Sequence, residues 1–119
     1  MKKILVVEDD DVERELMRMT LERAGYEVSA AEDGARGFEL AVSGRPDLIV
    51  TDVQMPGADG LSLVRQVRET PDISGTPILV TTGFGTGSAT MTLVTGADAY
   101  EPKPLEAGSL LESVRRLLA

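Results

Sequence analysis

Three stretches limit what this chain can become. "KILVV" (3–7), "DLIVT" (47–51) and "TPILVTT" (76–82) are short, apolar and rich in β-branched residues. A strand with one wet face alternates apolar and polar residues. An unbroken apolar run instead marks a strand covered on both faces. Between these runs the apolar period lengthens to that of a helix. "YEVSAA" (26–31) and "DAYE" (98–101) read as two further strands. Strand and helix thus alternate five times, which calls for a parallel sheet with helices on both sides.

Right-handed crossovers leave few ways to connect five such strands. The expected fold is a doubly wound α/β sheet in the order 2-1-3-4-5, flavodoxin-like (βα)5, with all of residues 1–119 in one domain. In the first helix, Asp10 or Asp11 is expected to cap the start, Val12, Leu16 and Met19 to face inward, and Gly25 to stop it. The second helix should turn Phe38, Ala41 and Val42 inward and end at Gly44. The third should present Leu61, Val64 and Val67, and the last Leu111, Val114, Leu117 and Leu118. A short or irregular fourth helix is expected at 88–95, where β-branched residues lower the helix propensity.

Composition excludes several chemistries. The chain has no cysteine and no histidine, so disulfides, thiolate metal sites and histidine acid–base catalysis are ruled out within it. A net charge of −8 disfavours direct binding to nucleic acid. "MKKILVV" begins like a signal peptide, but its apolar run stops at Glu8, too early for a signal core or a membrane span. A cytoplasmic location follows as the default expectation.

Doubly wound sheets bind ligands beyond the carboxyl ends of their strands. There the first strand delivers Glu8, Asp9 and Asp10, the third Asp52, and the fourth Thr81 and Thr82, while the fifth runs into Lys103. Carboxylates gathered in one cleft repel one another. A divalent cation relieves that repulsion, and an all-oxygen donor set suits Mg²⁺. A carboxylate beside Mg²⁺ can attack a phosphoryl group and become an aspartyl phosphate, with Thr82 and Lys103 holding the other oxygens. Strand alternation allows only one of Thr81 and Thr82 to face the cleft.

The segments "ILVVEDD", "DLIVTDVQMPGADG", "PILVTTG" and "GADAYEPKP", in this order, resemble the response-regulator receiver domain of two-component signalling, of the chemotaxis-regulator type. The resemblance implies Asp52 as phosphoacceptor, Glu8 and Asp9 as the acidic pair serving Mg²⁺, and Gln54 as a backbone-carbonyl ligand. It favours Thr82 over Thr81 as the switch hydroxyl. It also implies Lys103 as the lysine of the site, Tyr100 as the aromatic switch and a cis Lys103–Pro104 peptide. Pro56, Gly57, Gly60 and Pro104 are expected to shape turns. The implied partners are a histidine kinase or histidine phosphotransfer protein as donor, and a downstream effector protein or domain. Catalysis would be limited to the domain's own phosphorylation and dephosphorylation.

Two rival functions use the same residues. A pseudo-receiver would bind a partner without ever being phosphorylated. An aspartate-nucleophile phosphatase would want a second acid two residues after Asp52, where Gln54 stands. One stretch resists assignment: from Ile73 to Ala97 there is no charged side chain. Its first part is the fourth strand. For 84–95 the expectation is a mobile apolar segment that forms or extends its helix on activation.

Overall fold

The computed structural model describes residues 1–53, 60–82 and 96–119. Five parallel strands form one sheet: β1 (Lys3–Val7), β2 (Glu27–Ala31), β3 (Leu48–Asp52), β4 (Ile78–Thr82) and β5 (Ala99–Pro102). Their order is β2-β1-β3-β4-β5, the doubly wound arrangement expected from the alternation. Among the described residues the helices are α1 (Asp11–Arg23), α2 (Gly34–Gly44), α3 (Gly60–Arg68) and the C-terminal α4 (Ala107–Leu117), with a single 3₁₀ turn at Pro71–Ile73. The expected helix at 88–95, the segment 84–95, and Gln54, Pro56 and Gly57 lie outside the described residues.

β1, β3 and β4 are buried along nearly their whole length, as their apolar runs require. Period-two alternation divides their side chains between two cores. Leu5, Val7, Ile49, Ile78 and Val80 pack with Leu63, Val64 and Val67 of α3 on one face. Ile4, Val6, Leu48, Val50 and Leu79 pack with Met17 and Leu21 of α1 and Leu110 and Val114 of α4 on the other. β5 is an edge strand, so Pro102 can sit in it without an N–H to donate.

Several expected helix faces are corrected. In α1, Val12 and Leu16 are 67% and 58% exposed, and Met19 is only half-buried; Met17 and Leu21 enter the core instead. The sequence holds two apolar pairs at i, i+4, Val12–Leu16 and Met17–Leu21, and only one can meet the sheet. The Asp10 cap sets where the helix begins: its carboxylate accepts from the Glu13 backbone N–H. Glu13, Met17 and Leu21 then share one face. Gly25 follows the helix at φ 100°, where a Cβ would be strained, as expected of a stop.

In α2, Ala41 is buried and Phe38 packs against the core, whereas Val42 is 45% exposed. Gly44 still belongs to the helix, and the left-handed cap falls one residue later, on Arg45 at φ 45°. α3 buries Leu63 with Val64 and Val67, and Leu61 is only half-buried. α4 buries Leu110 and Ser113 with Val114, while Leu111, Leu117 and Leu118 pack around the rim of that core. No helix among the described residues is long and apolar enough to cross a membrane.

Candidate functional site

The parallel sheet brings the carboxyl ends of β1, β3 and β4 and the chain leaving β5 to one edge. Glu8 follows β1 and is wholly buried; Asp52 ends β3 and is 2% exposed. Lys103 follows β5, and its backbone N–H donates to the Thr82 carbonyl at 2.7 Å, which fixes where its side chain starts. The Lys103–Pro104 peptide is cis, as the resemblance implied. Gly60 opens α3.

The Lys103 ammonium donates to three carboxylates: Glu8 Oε1 at 2.8 Å, Asp52 Oδ2 at 3.0 Å and Glu13 Oε2 at 3.1 Å. Glu8 Oε2 also accepts from the Asp10 backbone N–H at 3.1 Å, and the Glu8 carbonyl accepts from Arg14 Nη1 at 2.9 Å. Burial pushes the Glu8 carboxyl up to about 7, against the hydrogen bonds from Lys103 and the Asp10 backbone, which favour its ionised form. Burial also opposes the charge on Lys103, but the hydrogen bonds to Glu8 and Asp52 and the charge of Asp52 outweigh it. The ammonium is therefore held above its usual range.

Glu8, Asp9 and Asp52 each offer a carboxylate oxygen, and the three lie within 4.8 Å of one another. Asp9 is exposed, so the group opens to solvent on one side. Oxygen donors alone, with a wet side for retained waters, fit a hard cation such as Mg²⁺. The negative charge at this point exceeds what one lysine balances, which a divalent cation offsets.

Thr81 and Thr82 are both buried, and they fall on opposite faces. Thr81 continues the face of Leu79, the side of α1 and α4, and its Oγ1 is buried without a hydrogen-bond partner among the described residues. Thr82 continues the face of Val80 and is the last residue of β4, at the edge itself. Tyr100 pairs with Val80 in the ladder and packs against the α2–α3 core, so it shares the Thr82 face.

Three polar clusters were not anticipated. Glu13 joins Lys103 across a separation of 90 residues. Glu101 of β5 is buried, and its carboxylate accepts from Ser109 Oγ at 2.6 Å and Ser113 Oγ at 3.0 Å, tying β5 to α4. Arg68, at the end of α3, donates to the carbonyls of Gly96, Ser74 and Thr76 and to Asp98 Oδ2. The Asp10-x-x-Glu13 spacing could have flagged Glu13 as part of a helix start. The other two clusters leave no local signal.

The fold and site together define a class: a doubly wound α/β domain that gathers an aspartate, two further acids and a lysine at the carboxyl edge of its sheet. The sequence matches the family described as response regulator receiver domain over residues 4–115, and the chain belongs to that family. It is 45% identical over 117 residues to the response regulator MprA of Mycolicibacterium vanbaalenii, covering 98% of this chain and 50% of that protein. The chain thus spans about half the length of the curated relatives it matches. Among solved structures, the chemotaxis response regulator CheY4 of Vibrio cholerae superposes with a TM-score of 0.93 at 34% identity, covering 99% of each chain. The BeF3-activated N-terminal receiver domain of Klebsiella pneumoniae RstA gives 0.89 at 30% identity, covering 98% of each.

Proposed function

We propose that the chain accepts a phosphoryl group on Asp52 from a phosphohistidine donor and passes the event on as a change of conformation. The observation that carries this reading is the setting of Asp52. It is a buried carboxylate at a strand end, with an ammonium at 3.0 Å and two further carboxylates close enough to share a cation. In the transfer, an Asp52 oxygen attacks phosphorus, the P–N bond to the donor imidazole breaks, and the imidazole leaves with a proton from solvent. Mg²⁺, held by Glu8, Asp9, Asp52 and the Gln54 carbonyl, would supply positive charge toward the phosphoryl oxygens. Lys103 orients the acceptor and neutralises charge on the transferred group. Hydrolysis reverses the state: water attacks phosphorus, the Asp52–phosphoryl bond breaks, and inorganic phosphate leaves.

The signal then runs through Thr82 and Tyr100. They share one face, one at the edge and one packed against the α2–α3 core. A hydroxyl drawn toward a new phosphoryl group opens space that a half-buried ring can occupy, which biases two packings of that face. A histidine kinase or phosphotransfer protein is the donor, since the chain has no histidine of its own, and a partner protein or domain reads the result.

Intact-mass measurement after incubation with Mg²⁺ and acetyl phosphate tests the reading. The expected result is the gain of one phosphoryl group in the wild type and none in Asp52→Asn. A wild type that gains no mass under these conditions makes the domain a phosphorylation-independent binding module instead.

A further inference from the structure

We propose that Glu13 is a positioning residue that occupies the place a phosphoryl oxygen takes on Lys103. The inference rests on the reading of Asp52 as phosphoacceptor and deepens it. An alkylammonium has three N–H donors. In Lys103 all three are used, on Glu8, Asp52 and Glu13. A phosphoryl group on Asp52 can be held by Lys103 only if one of these acceptors gives way.

The three are not equal. Glu8 is wholly buried, and stripping a buried carboxylate of its cation carries a heavy desolvation cost. The Asp52 side chain is 3% exposed and carries the phosphoryl group itself. Glu13 makes the longest of the three bonds, and its side chain is 40% exposed. Water can therefore replace the lysine at Glu13 with little loss, as at other exposed ion pairs.

The start of α1 shows that Glu13 is turned to this task. Asp10 and Glu13 have the spacing of a capping box, and Asp10 performs its half by accepting from the Glu13 backbone N–H at 2.8 Å. The reciprocal bond, from the Asp10 backbone N–H to the Glu13 carboxylate, is not made. Glu8 Oε2 takes that N–H, and Glu13 reaches Lys103. Once released, a Glu13 carboxylate in the first turn still benefits from the helix dipole. The exchange is one hydrogen bond for another, with no covalent change. Glu13 thus competes with the phosphoryl group and sets how tightly Lys103 engages it.

The test uses beryllofluoride at saturating Mg²⁺ as the phosphoryl probe, titrated into ¹⁵N-labelled protein. Glu13→Gln is expected to tighten apparent affinity about two- to fivefold, the range of an exposed ion pair. Its urea midpoint should fall only slightly, by no more than the small free energy that this exposed ion pair contributes to the unliganded fold. Asp11→Asn removes the same charge from the same turn but touches Arg14 rather than Lys103, and it should leave the affinity unchanged. A Glu13→Gln affinity equal to or weaker than wild type overturns the proposal. So does an equal gain in Asp11→Asn, which would mean simple charge removal. Wild-type protein that neither binds beryllofluoride nor gains mass from acetyl phosphate removes the phosphoacceptor reading, and the proposal with it.

Discussion

Arg68→Ala removes four hydrogen bonds from one place. The guanidinium donates Nε to the Gly96 carbonyl at 2.9 Å and Nη1 to the Ser74 and Thr76 carbonyls at 2.9 and 2.7 Å. It also donates Nη2 to Asp98 Oδ2 at 2.9 Å. The end of α3, the entry to β4 and the entry to β5 are fastened by one side chain. Asp98 keeps a second bond, from the Ile78 backbone N–H at 2.8 Å, so its carboxylate is not stranded. A hydrogen bond to a charged group contributes about 1.5–3 kcal/mol when well shielded. The Arg68 side chain is 24% exposed and that of Asp98 is 46% exposed, so the ion pair itself adds under about 1 kcal/mol and water rescues part of the rest. The expected loss is about 2–4 kcal/mol. At roughly 0.25 kcal/mol/K of unfolding entropy for a chain this long, that lowers Tm by about 8–16 °C. Urea denaturation should show a lower midpoint at unchanged slope. Arg68→Lys should recover only a small part, because a point charge cannot serve carbonyls on three sides as the planar fork does. A loss below about 1 kcal/mol for Arg68→Ala, or full recovery by lysine, would refute the reasoning.

Glu8 gives the fold a pH dependence. Its carboxyl is raised from 4.5 to about 7 in the folded chain, chiefly by burial. Between those values the folded state keeps a proton that the unfolded state has released, so this group's stabilisation falls as pH rises through the folded value. The loss is at most on the order of 3 kcal/mol. Without divalent cations, urea midpoints of the wild type should drop from pH 5 to pH 8 more than those of Glu8→Gln; equal drops in both would contradict the assignment. Gly37→Ala probes the contact of α2 with the sheet. A Cβ there would stand 2.8 Å from Val7 Cγ2 and 3.3 Å from Leu63 Cδ2, both in the buried core. Overpacking should cost about 1–3 kcal/mol, more than the roughly 1 kcal/mol alanine gains in helix propensity, so a net stabilisation in the same assay would refute the crowding.

The strands and their order were legible because β1, β3 and β4 each carry an unbroken apolar run, and only a sheet covered on both faces accepts such runs. The ends of β1 and β3 and the chain leaving β5 put Glu8, Asp52 and Lys103 at one edge from the sequence alone, and the structure joins Lys103 to the two acids at 2.8 and 3.0 Å. The rotation of the helices was less legible. In α1 two apolar pairs compete, and local periodicity cannot rank them; packing against the sheet decides for Met17 and Leu21. In α2 the stop shifts to Arg45, a residue with no glycine-like signal.

What the sequence determined by itself is what depends on near neighbours and on periodicity: the strand runs, the alternation, a cap at Asp10 or Asp11 and the acids at the strand ends. What only the tertiary structure decided is what depends on distant partners. Glu13 meets Lys103 across 90 residues, Arg68 reaches Asp98 across 30, and Glu101 finds Ser113 because α4 lies against β5. Each contact joins residues that leave no mark on one another's local conformation. They meet because burying two apolar faces of one sheet fixes where each helix lies.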